Sequence, residues 1–387
     1  MNRMSESAFN RRRDEFPTLA AGNDLLSHSL GPVPRGVADS MHAYYTAWEQ
    51  HTNEDAWATN WWTLSQRVGD QIARLLGGPP GSVQIQPNAS LALSTVISCL
   101  NFQNTKRNKI VTTAHDFPSM AYIWEAQANT GARVEAISSP DGITVPLEAI
   151  LEAIDETTCL VALSHTSYRT SHRLDAAAIV QHAHRQGALV LFDVYQSAGT
   201  VLLDAKGWEV DFLIGGTIKW LCGGPACGYL YVRNDLQREL EPRLTGWVAH
   251  DSPFEFAPAP IRYARSVRRF AQGTPSIPAL YSALPGLQII EEVGVERIAQ
   301  ESQRRTEWLV EFALERGWRL NSPRKATERG GSVMIGVDDA PRMVEELARR
   351  KIFVDWRPGA GLRISPHFFN TDDEVREALE VLDQLHG

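Results

Sequence analysis

Ala188-Leu-Val-Leu-Phe192-Asp193-Val-Tyr-Gln196 decides how the chain folds. An unbroken apolar run ended by a carboxylate reads as a strand buried on both faces, because a strand with one wet face alternates apolar with polar residues. Cys159 to Leu163 upstream, and Phe212-Leu-Ile214 and Tyr229-Leu-Tyr-Val232 downstream, read the same way. Helical periodicity fills the gaps, as in Asp175 to Gln186. Further out, Leu64 to Leu76 is a helix stopped by Gly77 to Pro80. The chain then alternates strand and helix: Val83 to Ile85, Ala89 to Leu100, Lys109 to Thr112, Pro118 to Asn129, Ala132 to Ile137 and Leu147 to Ile154. Buried strands separated by helices make an α/β protein whose mainly parallel sheet is covered on both faces.

Beyond Pro275 the pattern changes. Long helical stretches around Leu280 to Val293 and Val295 to Arg316 precede a strand at Gly331 to Val337, a helix at Arg342 to Arg350, and a strand–loop–strand–helix ending. This predicts a large α/β domain over residues 51–284 and a smaller α+β domain built from 1–50 and 285–387. Neither an internal repeat nor a low-complexity segment interrupts the chain.

The 387 residues are 43% hydrophobic, enough for a substantial core, and their net charge of −8 is opposite in sign to that of an ordinary nucleic-acid binder. No apolar run reaches the length of a membrane span, and Met1 to Asp24, with Arg11, Arg12 and Arg13, lacks the apolar stretch of a secretion signal. Cys99, Cys159, Cys222 and Cys227 are too scattered for a disulfide scaffold, which points to the cytoplasm. Neither Cys222 with Cys227 nor His182 with His184 has the further ligands of a metal site, so no metal is expected.

In a parallel sheet ligands gather at the carboxyl ends of the strands. The polar residues at those ends are Asn88-Ala89-Ser90, His115-Asp116-Phe117-Pro118, Asp193 with Gln196, and Lys219. On spacing alone, Asp193 and Lys219 fit a structural ion pair or two solvated loop residues as well as a site. They also suit pyridoxal phosphate, whose aldehyde needs a lysine, whose ring nitrogen needs a carboxylate, and whose phosphate suits the free amides of a helix start at Ala89 and Ser90.

The surrounding words favour the cofactor. Leu191-Phe-Asp193-Val-Tyr-Gln196-Ser-Ala-Gly199 with Gly216-Thr-Ile-Lys219-Trp-Leu-Cys-Gly-Gly-Pro225 resembles the signature of the class V, fold-type I pyridoxal-phosphate enzymes. Within that class the chain, from about Leu30 to Leu385, resembles the kynureninases. The resemblance rests on Ser29-Leu-Gly-Pro32, Asp116-Phe-Pro118, Ser164-His-Thr-Ser-Tyr-Arg-Thr170, Leu244-Thr-Gly-Trp247-Val-Ala-His250 and Phe270-Ala-Gln-Gly-Thr274-Pro275. It implies a large domain with a seven-stranded sheet, Lys219 on the aldehyde, Asp193 on the pyridinium nitrogen and Phe117 stacked on the ring. Ala89, Ser90 and Trp247 would hold the phosphate, with Thr274 reaching in from the other subunit of a homodimer. Gln196 would stand near the phenolic oxygen, Ser167 at a position often occupied by asparagine, and Arg363 would grip the substrate α-carboxylate, with Arg357 a weaker candidate.

The implied reaction is a kynureninase-like Cβ–Cγ cleavage of an α-amino acid. Departures keep a class V aminotransferase or epimerase open, and a non-catalytic binding protein is a further alternative. Ile218 stands where kynureninases carry a tyrosine before the lysine, Gln196 where they carry histidine, and Ala226 where they carry glycine. A cysteine desulfurase needs a nucleophilic cysteine in the small domain, and no cysteine follows residue 227. Trp57, Trp61 and Trp62 are expected to line either the pocket, the core or a subunit boundary.

Overall fold

The structure is a computed structural model that describes residues 12–50, 56–103 and 105–386; of the N-terminal stretch, Met1 to Arg11 lies outside the described residues. In chain order the strands are β1 (Asn23–Asp24), β2 (Val83–Gln86), β3 (Lys109–Thr113), β4 (Arg133–Ile137), β5 (Thr158–Ser164), β6 (Leu189–Asp193), β7 (Phe212–Gly216), β8 (Gly228–Val232), β9 (Arg319–Leu320), β10 (Val333–Gly336), β11 (Ile352–Phe353), β12 (Asp355–Arg357) and β13 (Gly361–Ile364). A seven-stranded sheet runs in the order β2-β8-β7-β6-β5-β3-β4, and only β8 opposes its neighbours.

Both faces of this sheet are covered, which is why its central strands carry no polar alternation. Val161, Leu163, Val190, Phe192 and Leu213 join one core with Leu64, Val68 and Ile72 of the helix Trp62–Leu75 and Ile179 of the helix Ala176–Arg185. Their neighbours in sequence, Leu160, Ala162, Leu191, Phe212 and Ile214, face the other core with Leu93 and Val96 of the helix Ala89–Ser98 and Met120 and Trp124 of Pro118–Gln127. Register then lines up the functional ends: Ser164 lies beside Asp193, and Asp193 beside Ile214.

The C-terminal unit is a four-stranded antiparallel sheet, β12-β13-β10-β9, with a core that includes Val333, Ile335, Leu347, Leu362 and Leu379. The short strand β1 pairs in parallel with β11, tying residues near the N-terminus to this unit. The expected boundary between residues 284 and 285 falls inside the helix Ile277–Val293, which carries Pro285. Ser40 of the helix Gly36–Gln50 donates to the Tyr281 carbonyl, and the Tyr44 ring packs at a tilt against that of Tyr281, so that helix sits with the large domain. Amphipathic pattern alone cannot say which sheet a helix covers, and here the half-buried Met41, Tyr44 and Ala47, packed against the core that holds Tyr281, decide it.

Candidate active site

Five strand ends meet in one pocket of about 230 Å³, lined by Asn88, Ala89, Ser90, Phe117, Ser164, Thr166, Tyr168, Asp193, Tyr195, Gln196 and Lys219 among others. Each wall has a local cause. Asn88 caps the helix Ala89–Ser98 by accepting from the Leu91 amide at 2.9 Å. The amides that open this helix have no carbonyl of the helix to pair with, so a positive dipole end faces the pocket. Glycine at 228 allows that approach: a Cβ there would stand 2.7 Å from the Asn88 backbone. Asp116 gives up both oxygens to the scaffold, taking the Thr112 hydroxyl, the Thr113 amide and the Ser164 amide, and so places Phe117 over the pocket.

Asp193 ends β6 with one oxygen held by the Tyr195 amide at 2.8 Å. Burial raises its carboxyl to about 6, so it is an anion above neutral pH, at a cost that a cationic partner in the pocket would offset. Lys219 forms no ion pair with it. The Lys219 amine instead stands 4.4 Å from the Tyr195 ring centre and 5.7 Å from that of Phe117, and burial lowers it to about 8. Gln196 is locked by opposite partners, its Nε2 donating to the His28 carbonyl at 3.0 Å and its Oε1 accepting from Trp220 Nε1 at 3.0 Å. Indole donates only and carbonyl accepts only, so the amide has one possible orientation, with a second N–H left over.

Ser167 does not line the pocket. After β5, Ser164, Thr166 and Tyr168 point in, while His165 packs on Phe192 and Ser167 turns back to accept from the amides of Arg169 and Thr170. The chain bends at His165 and turns at 168–170, with the Ser171 amide donating to the Ser167 carbonyl at 2.9 Å, and this turn carries Ser167 away from the pocket. Trp247 and Thr274 also lie elsewhere in this chain. Thr274 lines a separate cavity of about 360 Å³ with Trp62, whose ring packs on Trp247 and Phe254. Of the three early tryptophans, Trp61 is in the core beside Tyr44 and Trp57, and Trp62 belongs to this second aromatic group. Arg363 is buried with its guanidinium side-on to Asp355, Nε donating at 2.7 Å and Nη2 at 2.6 Å, while Nη1 donates to the carbonyl of pocket residue Tyr168. Arg357 reaches the same carboxylate at 3.2 Å.

Sequence reading missed two members of this arrangement, Tyr195 and Asp355, and gave His28, with His165 and His250, only a low weight as a histidine that could meet the substrate. Tyr195 follows the strand-end aspartate by two residues, and that spacing was the available signal, since the turn it opens brings its amide onto Asp193. Asp355 gave none, and nothing announced its pairing with His28, from which it is separated by more than three hundred residues.

The sequence profile described as aminotransferase class-V matches residues 25–376. The chain belongs to the class-V aminotransferases. Among relatives of this family, an uncharacterized aminotransferase, YcbU, of Bacillus subtilis is 32% identical over 96% of both chains. Kynureninase of Pseudomonas fluorescens is 29% identical over 93% of this chain and 88% of its own. In fold the class-V chain is similar to the cysteine desulfurase of Thermococcus onnurineus (TM-score 0.86, 22% identity, 97% of each chain covered). It is also similar to the cystine C–S lyase C-DES (TM-score 0.83, 21% identity, covering 95% of this chain and 98% of that one). The class-V chain is thus a pyridoxal-phosphate-dependent enzyme of fold type I, and the pocket fits that group: an amine beside two aromatic rings, a buried carboxylate, and a helix start opened by glycine opposite.

Proposed function

We propose that the enzyme acts on an α-amino acid, with Lys219 as both the anchor of the cofactor aldehyde and the base at Cα, and that its outcome is a kynureninase-like hydrolytic Cβ–Cγ cleavage. The observation that carries this reading is the Lys219 amine, lowered to about 8 by burial and set between Phe117 and Tyr195. An amine of ordinary pKa would be almost wholly protonated at pH 8, whereas this one is about half free base, as a nucleophile and proton acceptor must be.

Bound pyridoxal phosphate supplies an electron sink for the charge left at Cα. The Ala89 and Ser90 amides would hold its phosphate, Phe117 would cover its ring, and the Gln196 amide would reach its phenolic oxygen. Asp193, an anion above pH 6, would keep a proton on the ring nitrogen. Arg363 would take the substrate carboxylate by the N–H groups that Asp355 and Tyr168 leave free. Trp247 and Thr274 would serve the neighbouring site of a homodimer, joined through the exposed rings of Trp247, Phe254 and Phe256.

A second reading, amino-group transfer, is favoured by Ile218, which cannot supply the hydroxyl that kynureninases place before the lysine, and by the relative named an aminotransferase. Visible absorbance of the purified protein and of Lys219→Ala, before and after kynurenine and a panel of amino acids, separates the two. Alanine released from kynurenine supports cleavage, keto acid formed with amination of the cofactor supports transfer, and a variant that keeps the wild-type absorbance band would sink the role of Lys219.

A further inference from the structure

Leu26 to Gly31 threads between the two halves of the site. The Gly31 amide donates to the Ile218 carbonyl at 2.8 Å, and a Cβ on Gly31 would lie 2.2 Å from the Lys219 carbonyl oxygen, so this segment is pressed against the lysine's own backbone. From it His28 reaches in two directions. Its carbonyl accepts from Gln196 Nε2 at 3.0 Å, and its ring Nε2 meets Asp355 Oδ1 at 2.8 Å. Asp355 in turn carries the side edge of Arg363. Behind the ring, Nδ1 contacts the Ser365 hydroxyl, which is 2.8 Å from that of Ser332, and the Ser365 amide donates to the Leu25 carbonyl.

The chemistry of the partners fixes the tautomer. An ionised Asp355 only accepts, so Nε2 carries the hydrogen, and in the neutral ring Nδ1 is left as an acceptor beside the Ser365 hydroxyl. Burial pushes the imidazole down to about 4 despite Asp355, with the charges of Arg363 and Lys219 adding to the shift, so the ring is neutral at working pH. A neutral ring leaves the Asp355 charge intact for the two arginines. Asp355 and Tyr168 together occupy three of the five Arg363 N–H groups, which leaves one on each terminal nitrogen for a two-point contact with one carboxylate.

We propose that His28 is a positioning residue for the substrate carboxylate, acting through Asp355 on Arg363 while its carbonyl holds Gln196 on the cofactor side. This rests on the reading of Arg363 as the carboxylate's partner. The arrangement predicts that loss of the ring weakens recognition of the carboxylate and little else.

The test titrates the pyridoxal-phosphate-loaded enzyme with L-alanine and with L-alaninamide, reading apparent Kd from the visible absorbance change. The ratio of the two isolates the carboxylate. His28→Ala should reduce that preference on the order of tenfold with the amide's Kd unchanged, the loss of a charge-assisted contact of about 1.4 kcal/mol. His28→Gln, which can still donate to Asp355, should restore most of it. An unchanged or increased preference in His28→Ala, an equal loss for both ligands, or no rescue by glutamine overturns the proposal. A wild type that does not distinguish the two ligands removes Arg363 from the substrate and the proposal with it. Independently of ligand, nitrogen NMR of histidine-labelled protein should show, besides the ring of His367, whose Nε2 donates to the Trp220 carbonyl, a second neutral Nε2–H ring that does not titrate between pH 5.5 and 8 and that disappears in His28→Gln; the absence of a signal lost in this way would overturn the assignment.

Discussion

The Lys219 amine stands 4.4 Å above the centre of the Tyr195 ring, with its charge over the ring face. That contact favours the protonated amine, and burial opposes it. A cation over an aromatic face contributes about 0.5–2 kcal/mol, so replacing the ring by Leu should lower the Lys219 pKa by roughly 0.4 to 1.5 units, whereas Tyr195→Phe should leave it nearly unchanged. The pH dependence of aldehyde capture by cofactor-free protein reads this directly. Equal pKa values in Tyr195→Leu and wild type would show that the ring only fills space.

The same amine sets a pH dependence of stability. Its pKa in the folded protein, about 8, lies below that of an unfolded chain, so between pH 8 and 10.5 the unfolded state binds more protons. Lys219 therefore adds stability with rising pH across that window, against the thiols of Cys99, Cys159, Cys222 and Cys227, which burial holds protonated and which pull the other way, so wild type should lose stability less steeply with pH than Lys219→Met. Denaturant melts at pH 7.5, 9 and 10 measure it. Wild type and variant with the same slope would mean that Lys219 is not held at a lowered pKa.

The central sheet and the pocket floor were legible because burial on both faces writes itself into sequence as unbroken apolar runs, and because Asp193 and Lys219 directly follow such runs. Positions set by a turn beyond a strand were harder. Ser167 was expected in the pocket, yet the bend and turn past Ser164 present Thr166 and Tyr168 instead. Long-range placement was not written locally at all: nothing near Pro285 shows that its helix belongs with the large domain, and nothing near His28 shows that it meets Asp355.

Gly228 gives a prediction at the phosphate end. Its neighbour across the sheet is Gln86, two residues before Asn88, and a methyl group there would lie 2.7 Å from the Asn88 backbone. A contact that short against backbone cannot be relieved by a side-chain rotation, so Gly228→Ala must push back the turn that presents Ala89 and Ser90. Affinity for pyridoxal phosphate should fall by about tenfold or more, since charge-assisted contacts are each worth about 1.5–3 kcal/mol. Equilibrium dialysis of the cofactor against variant and wild type checks it, and unchanged affinity would place the phosphate elsewhere.

Thr274 tests whether one site is built from two chains. In a single chain it lies at a cavity beside Trp62, away from the Lys219 pocket, while Trp247, Phe254 and Phe256 leave large aromatic areas open to solvent on the same side. If these rings join two copies and Thr274 crosses the join, Lys219→Ala and Thr274→Val damage different chains of one site. Each variant dimer alone should be impaired. A hybrid of the two would hold one site with both defects and one with neither, so mixing and refolding the pair should recover about a quarter of wild-type activity at random reassociation, since half of the dimers would be hybrids with one sound site each. With Thr274 acting in its own chain, every Lys219-bearing site in the mixture would still lack the threonine. Activity would then stay at the average of the two variants, and the shared-site reading would be excluded.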